Sequence, residues 1–187
     1  MVRSKFLLSF IATFFTIAFT YSQEKRLALV IGNANYDKGV LENPVNDAKL
    51  IAKTLDSLNF EVILATNIED QRSLQNIIRE FGQKRSQYDV GFVYYAGHGV
   101  QIDGENYLLP TKEIYESEFD VTDYAVNVDK IMKYLTGMTD QVNILVLDAC
   151  RDNPFESNWN KTRSYGKGGG LAKIPAPTGS LIAFSTD

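Results

Sequence analysis

Apolar positions along the chain fall into two alternating patterns. Short, mostly apolar runs occupy Arg26–Gly32, Phe60–Ala65, Val90–Ala96, Val142–Leu147 and Ser180–Ser185. Apolar runs of this length read as buried strands. Val90–Ala96 is apolar throughout, which predicts a central position. Between the strands the period changes to 3.6. Asn43-Pro44 opens a helix, with Asn as cap and Pro in the first turn, and Ala48, Ile51, Ala52, Leu55 and Leu58 mark its apolar face. Leu74, Ile77, Ile78 and Phe81 mark a second helix. Asn127 is expected to cap a third, short one with Val128, Ile131, Met132 and Leu135 inward. Val100 and Ile102 on one side, and Tyr107, Leu108 and Leu109 on the other, flank Asp103-Gly104, a strong hairpin signal.

Strands alternating with helices imply βαβ units, and so an α/β fold with a mostly parallel sheet covered by helices on both faces. Ligands on such sheets bind at the carboxyl ends of the strands. Gly32, His98 and Cys150 are all expected just past strand ends. Residues 153–180 are rich in Gly, Pro, Ser, Asn and basic side chains and read as one long mobile loop. There is no internal repeat.

The length of 187 residues suits one domain, and 44% hydrophobic content is enough for a packed core. The first residues stand apart. Arg3 and Lys5 precede a mostly apolar run from Phe6 to Phe19, too short to span a bilayer, which needs about 20 residues. Residues 1–23 therefore read as a secretory signal peptide, cut after about Ser22 or Gln23, with the domain over 24–187. The rival is an uncleaved anchor, because no Ala-x-Ala precedes the cut. Export implies a secreted or periplasmic protein with no stable membrane insertion after cleavage. The formal net charge of −4 gives no reason to expect nucleic-acid binding. The leader holds two of the 19 basic and none of the 23 acidic side chains, so its removal makes the balance −6. An acidic surface mildly favours basic substrates.

Cys150 is the only cysteine, so no intramolecular disulfide is possible. An unpaired thiol in an exported chain is either a reactive group or a buried small hydrophobe. His98 is the only histidine and lies in Tyr94-Tyr95-Ala96-Gly97-His98-Gly99. Alone it reads equally as a turn residue. Without further His or Cys ligands it makes no metal site, and no cofactor is implied. Both residues, however, are expected at one edge of the sheet. A neighbouring imidazole is the usual device for activating a thiolate, and backbone N–H groups at such an edge suit an oxyanion.

Tyr-Ala-Gly-His-Gly followed by Leu-Asp-Ala-Cys-Arg, with 52 residues from His98 to Cys150, resembles the caspase-like peptidases. A His about 50 residues ahead of the Cys is a known mark of caspases. Asp148 to Phe155 (Asp-Ala-Cys-Arg-Asp-Asn-Pro-Phe) is closest to bacterial paracaspase- and metacaspase-like proteins. Leu29-Val30-Ile31-Gly32-Asn33-x-x-Tyr36 is similar to their first strand and turn. The resemblance covers residues 26–187 and implies a caspase-like three-layer α/β/α sandwich, truncated here before the family's sixth strand. It implies Cys150 as nucleophile, His98 as general base oriented by a backbone carbonyl, and the N–H groups of Gly99 and Cys150 as oxyanion hole. Asp148, two residues before the Cys, and Asp47 on the first helix match paracaspase residues that line a pocket for Arg. The implied activity is a cysteine endopeptidase acting on polypeptides after Arg or Lys. A guanidinium fork suits two carboxylates, whereas a substrate Asp would be repelled. The simpler reading of Asp47 is support of a helix N-terminus. Lys161, Arg163, Lys167 and Lys173 in the long loop are candidate self-cleavage points. The missing last strand motivates a second reading, a catalytically weak binding or scaffold module. A nucleotide-binding reading is weaker, since Gly168-Gly169-Gly170 has no following helix. No Asp-x-Asp-x-Asp-Gly calcium loop is present.

Overall fold

All five apolar runs become strands of one sheet. The computed structural model describes residues 23–136, 141–150 and 171–185, Cys150 by its backbone alone. The elements run β1 (Arg26–Gly32), α1 (Pro44–Ser57), β2 (Phe60–Thr66), α2 (Gln71–Arg85), β3 (Val90–Ile102), β4 (Glu105–Leu108), α3 (Glu118–Tyr124), β5 (Val126–Asn127), α4 (Asp129–Leu135), β6 (Val142–Cys150) and β7 (Ser180–Phe184). The main sheet has the order β2-β1-β3-β6-β7, with parallel pairing at every step. β3 outruns its neighbour β1. From Gly99 onward it pairs antiparallel with β4, which pairs in turn with β5. The turn residues Asp103 and Gly104 both have positive φ, 50° and 85°, as a two-residue hairpin requires.

Period-two alternation sends successive side chains to opposite layers. Leu27, Leu29, Ile31, Val93, Tyr95, Leu145 and Leu147 pack with Leu74, Ile78 and Phe81 of α2 and Ile131 and Leu135 of α4. Ala28, Val30, Tyr94 and Ala96 meet Ala48, Ala52 and Leu55 of α1 on the other face. Each large aliphatic side chain so buried contributes about 1.5–3 kcal/mol of hydrophobic free energy. The result is the expected three-layer α/β/α sandwich. A third cluster under the hairpin joins Tyr36, Val100, Tyr107, Leu109, Tyr115 and Val121.

The differences from expectation have physical causes. Gly32 is the last residue of β1, and His98 and Cys150 lie within strands rather than past their ends, because β3 continues into the hairpin and β6 runs three residues beyond Leu147. Asn43 is not a side-chain cap. Its backbone is helical, and its carbonyl accepts the N–H groups of Asn46 and Asp47 while Pro44 fills the first position. Asn127 does cap from one residue further out, its Oδ1 accepting the Asp129 N–H at 2.7 Å. Helix α3 was unforeseen. It is too short to show a period, and rests on a reciprocal capping box between Ser117 and Asp120.

Residues 171–174, expected to belong to a mobile loop, are docked. Asn106 donates to the Ala172 carbonyl at 2.8 Å and accepts the Ala172 N–H at 2.6 Å, and Leu171 and Ile174 pack against the core. Residues 1–22, nearly all of the expected leader, lie outside the described residues. Among the described residues no helix is long and apolar enough to cross a membrane.

Candidate active site

β3 and β6 are neighbours, and their register pairs Ala96 with Asp148 and His98 with Cys150. Neighbouring strands lie about 4.8 Å apart. The sole histidine and sole cysteine are therefore adjacent backbone positions across one ladder. β3 leaves the parallel sheet at this point, so the site lies at the carboxyl edge.

The imidazole is oriented by a carbonyl, and no acid is bonded to it among the described residues. Nε2 of His98 lies 2.6 Å from the carbonyl oxygen of Gly39. A carbonyl only accepts, so Nε2 carries the proton and Nδ1 keeps its lone pair. Nδ1 is buried and has no hydrogen-bond partner among the described residues. Burial pulls the imidazole below its ordinary value near 6.5, and the Gly39 carbonyl pushes partly back. The free ring is therefore neutral at pH 7, the state a general base needs.

Two tyrosines brace the His98 backbone. Tyr36 Oη accepts the His98 N–H at 2.9 Å and donates to the Leu109 carbonyl at 3.2 Å, while its ring meets the imidazole at 4.4 Å between centroids. Tyr95 Oη donates to the His98 carbonyl at 2.7 Å. Gly97 lies between them at φ 155°, and a Cβ there would stand 2.6 Å from Tyr36 Oη. Only glycine fits. The turn after β1 is tied down in the same way: Asn33 donates to the Leu109 carbonyl and accepts the Ile68 N–H, both fully buried. Sequence reasoning quoted Asn33, Tyr36 and Tyr95 inside motifs without giving them roles. The signal was a hydroxyl within a buried apolar run, because a buried tyrosine O–H needs a partner.

Asp148 is bonded to Tyr94, and the charge of Asp47 bears on the same hydroxyl. Gly32 lets α1 approach, since a Cβ there would stand 2.4 Å from the Pro44 carbonyl. The first turn of α1, carrying Asp47, thus sits over the end of β1. Tyr94, unforeseen, donates its hydroxyl to Asp148 Oδ2 at 3.0 Å. Burial pushes the Tyr94 phenol well up, and the charges of both Asp148 and Asp47 reinforce this. Both carboxylates therefore act on one hydroxyl group. Gly99, expected in the oxyanion hole, pairs with Leu108, and a Cβ there would stand 3.0 Å from that of Ala149.

Of the candidate cleavage points, Lys173 is exposed between docked neighbours, and Lys161, Arg163 and Lys167 lie outside the described residues. A cleft of about 350 Å³ lined by Gln75, Arg79, Lys130 and Lys133 lies between α2 and α4, away from His98. Among the described residues no three His, Cys, Asp or Glu side chains gather as a metal site.

A family model described as the caspase domain matches residues 25–187. The chain belongs to the caspase domain family. Over 129 residues it is 29% identical to human mucosa-associated lymphoid tissue lymphoma translocation protein 1, covering 67% of this chain and 15% of that protein. The mouse homolog is 28% identical over the same length. The fold is that of the Drosophila initiator caspase Dronc (TM-score 0.57, 11% identity, 88% of this chain and 57% of that one). It is likewise that of pro-sf-caspase-1 (TM-score 0.58, 17% identity, 88% and 62%). The chain thus spans about one seventh of the length of its curated relatives and somewhat over half of these caspase structures. It is a caspase-like member of a cysteine peptidase family, whose members are hydrolases of polypeptides.

Proposed function

We propose that this caspase-family chain is an exported cysteine endopeptidase that cleaves after Arg or Lys, with Cys150 as nucleophile and His98 as its base. The observation that supports this most is His98 itself. Its Nε2 is committed to Gly39, its Nδ1 has no partner among the described residues, and its backbone is the register partner of Cys150.

In this reading Nδ1 takes the Cys150 thiol proton, and the thiolate adds to the scissile carbonyl. The N–H groups of Gly99 and Cys150 receive the resulting oxyanion. The imidazolium then protonates the leaving amine as the C–N bond breaks. Water, deprotonated by the same neutral imidazole, hydrolyses the thioester and restores the thiol. No third acid is needed, because the Gly39 carbonyl already selects the tautomer. Asp47 and Asp148 hold the cation of the residue preceding the cut, and Arg is favoured because its fork can bridge both.

The test is a fluorogenic peptide ending in Arg before the reporter. Wild-type protein should turn it over. Cys150→Ala and His98→Ala should each lose at least about a hundredfold. Iodoacetamide should alkylate Cys150 quickly in the wild type and slowly in His98→Ala. A wild type that folds yet cleaves no basic-residue peptide, or a Cys150→Ala protein that still does, sinks the reading. Export is checked separately. Material recovered outside the cytoplasm of the native host should begin near Glu24, and retention of Met1 would favour an anchor.

A further inference from the structure

We infer that Tyr94 is a specificity-determining positioning residue, whose hydroxyl holds Asp148 in place to receive a substrate cation. The inference rests on the proposed basic-residue pocket. It assigns that pocket a third member which nothing in the motifs names.

The geometry comes from the register. Tyr94 pairs with Val146, two residues before Asp148 on the adjacent strand, so Tyr94 and Asp148 are diagonal neighbours on one face of the sheet. Below them that face is apolar, with Ala28, Val30 and Ala96 packed against Ala48 and Ala52 of α1. It turns polar at the Tyr94 hydroxyl. The ring of Tyr94 belongs to that apolar layer and is only 5% exposed, so its stem is fixed by packing. Its tip reaches Asp148 Oδ2 at 3.0 Å, while Asp148 itself is half-buried. A packed donor thus anchors one oxygen of a half-buried carboxylate.

The anchor matters because the second acid opposes it. Asp47 is close enough for its charge to bear on the same phenol. With no cation between them, two carboxylates repel, and the freer one turns toward water. Asp148 is tethered by Tyr94, which cannot ionise near neutral pH and so remains a donor throughout. Among the described residues the other Asp148 oxygen has no hydrogen-bond partner and can take a guanidinium or ammonium group, and Oδ2 retains a lone-pair site for a second donor. Holding the carboxylate before substrate arrives spares the ordering cost at binding.

Tyr94→Phe tests this directly, because it keeps the packed ring and deletes only the donor. Matched peptides carrying Arg or its uncharged isostere citrulline before the cut separate charge recognition from general fitness. The Tyr94→Phe protein should raise KM for the Arg peptide about tenfold with kcat within twofold, and shrink the Arg-to-citrulline ratio in kcat/KM to match. Its iodoacetamide rate at Cys150 should equal that of the wild type. An unchanged ratio overturns the inference. So does equal loss on both peptides, which marks a structural role. Should the wild type itself show no preference for Arg over citrulline, the pocket reading falls and this inference with it. A wild type that prefers Arg beside a Tyr94→Phe protein that prefers it equally removes the inference alone.

Discussion

At His98 two influences oppose each other, and burial wins. The ring sits 4% exposed, so the charged form lacks water, and the Gly39 carbonyl recovers only part of that loss. This has a consequence for stability. The unfolded chain takes up a proton near pH 6.5, whereas the folded ring resists until lower pH. Between those points the unfolded state binds more protons, so stability falls as pH drops through the window just below 6.5. Glu61 and Asp70 have lowered folded values and act only below about 4.5 and 3.8, so the windows do not overlap at their upper edges. Urea unfolding at pH 7.0 and 5.5 should therefore show a loss in Cys150→Ala protein that disappears when His98→Gln is added. An equal loss in both would assign it to other groups. Tyr36 makes a second residue-scale case. Tyr36→Phe keeps the ring against the imidazole but leaves the buried His98 N–H without its acceptor, which costs about 1–3 kcal/mol. We expect a lowered urea midpoint and a kcat reduced several-fold with KM unchanged, since the variant disturbs the base and not the pocket. A raised KM would show that Tyr36 acts on substrate binding instead.

At the scale of elements, the sequence displayed what periodicity can display. Short, mostly apolar runs marked β1, β2, β3, β6 and β7, and the 3.6 period marked α1, α2 and α4. What stayed hidden were features made by single polar contacts between distant segments. The motif around His98 was visible, but not that β3 would carry it onward into a hairpin, because Gly97-His98-Gly99 reads as a turn. The docked segment 171–174 was hidden for the same reason. Its composition is that of a loop, and the order comes from Asn106, 66 residues away, whose side chain bonds both backbone groups of Ala172. Asn106 is itself buried, so Asn106→Ala would leave the Ala172 N–H and carbonyl without their partner at about 1–2 kcal/mol each. The consequence is local. Lys173 is exposed but held between Ala172 and Ile174, and a protease needs an extended segment free to enter its cleft. Trypsin should cut wild-type protein slowly after Lys173 and Asn106→Ala protein many times faster, as mass spectrometry of the fragments would show. Equal rates would mean that Leu171 and Ile174 alone hold the segment.

Across the whole molecule, one sheet edge gathers parts from sequence positions that have no local reason to meet. Gly39 and Asp47 come from either side of the α1 N-terminus, His98 and Tyr94 from β3, and Asp148 and the Cys150 backbone from β6. Parallel β1, β3 and β6 bring them together because the carboxyl ends of parallel strands share an edge. The residues between Cys150 and the docked segment begin at this edge. Arg163 stands 13 positions after Cys150 and Leu171 eight positions after Arg163. A chain extends at most about 3.3–3.6 Å per residue, so both spans leave ample slack for Arg163 to reach the Asp47 and Asp148 side of the edge. Tethering raises its effective concentration far above that of any free peptide. Lys161 and Lys167 lie within similar reach by chain length, whereas Lys173 is pinned by its neighbours. If the proposed pocket selects cations, self-cleavage should fall after Arg163 first, because a guanidinium bridges two carboxylates better than an ammonium. Purified wild-type protein should yield two fragments on incubation, at a rate independent of dilution. Cys150→Ala should remain whole, and Asp148→Ala should be cut much more slowly with Cys150 alkylation unchanged. Arg163→Gln should shift the cut to Lys161 or Lys167. A cut mapping after an acidic residue would remove the charge argument, and a rate that rises with protein concentration would place the scissile segment in another copy's site.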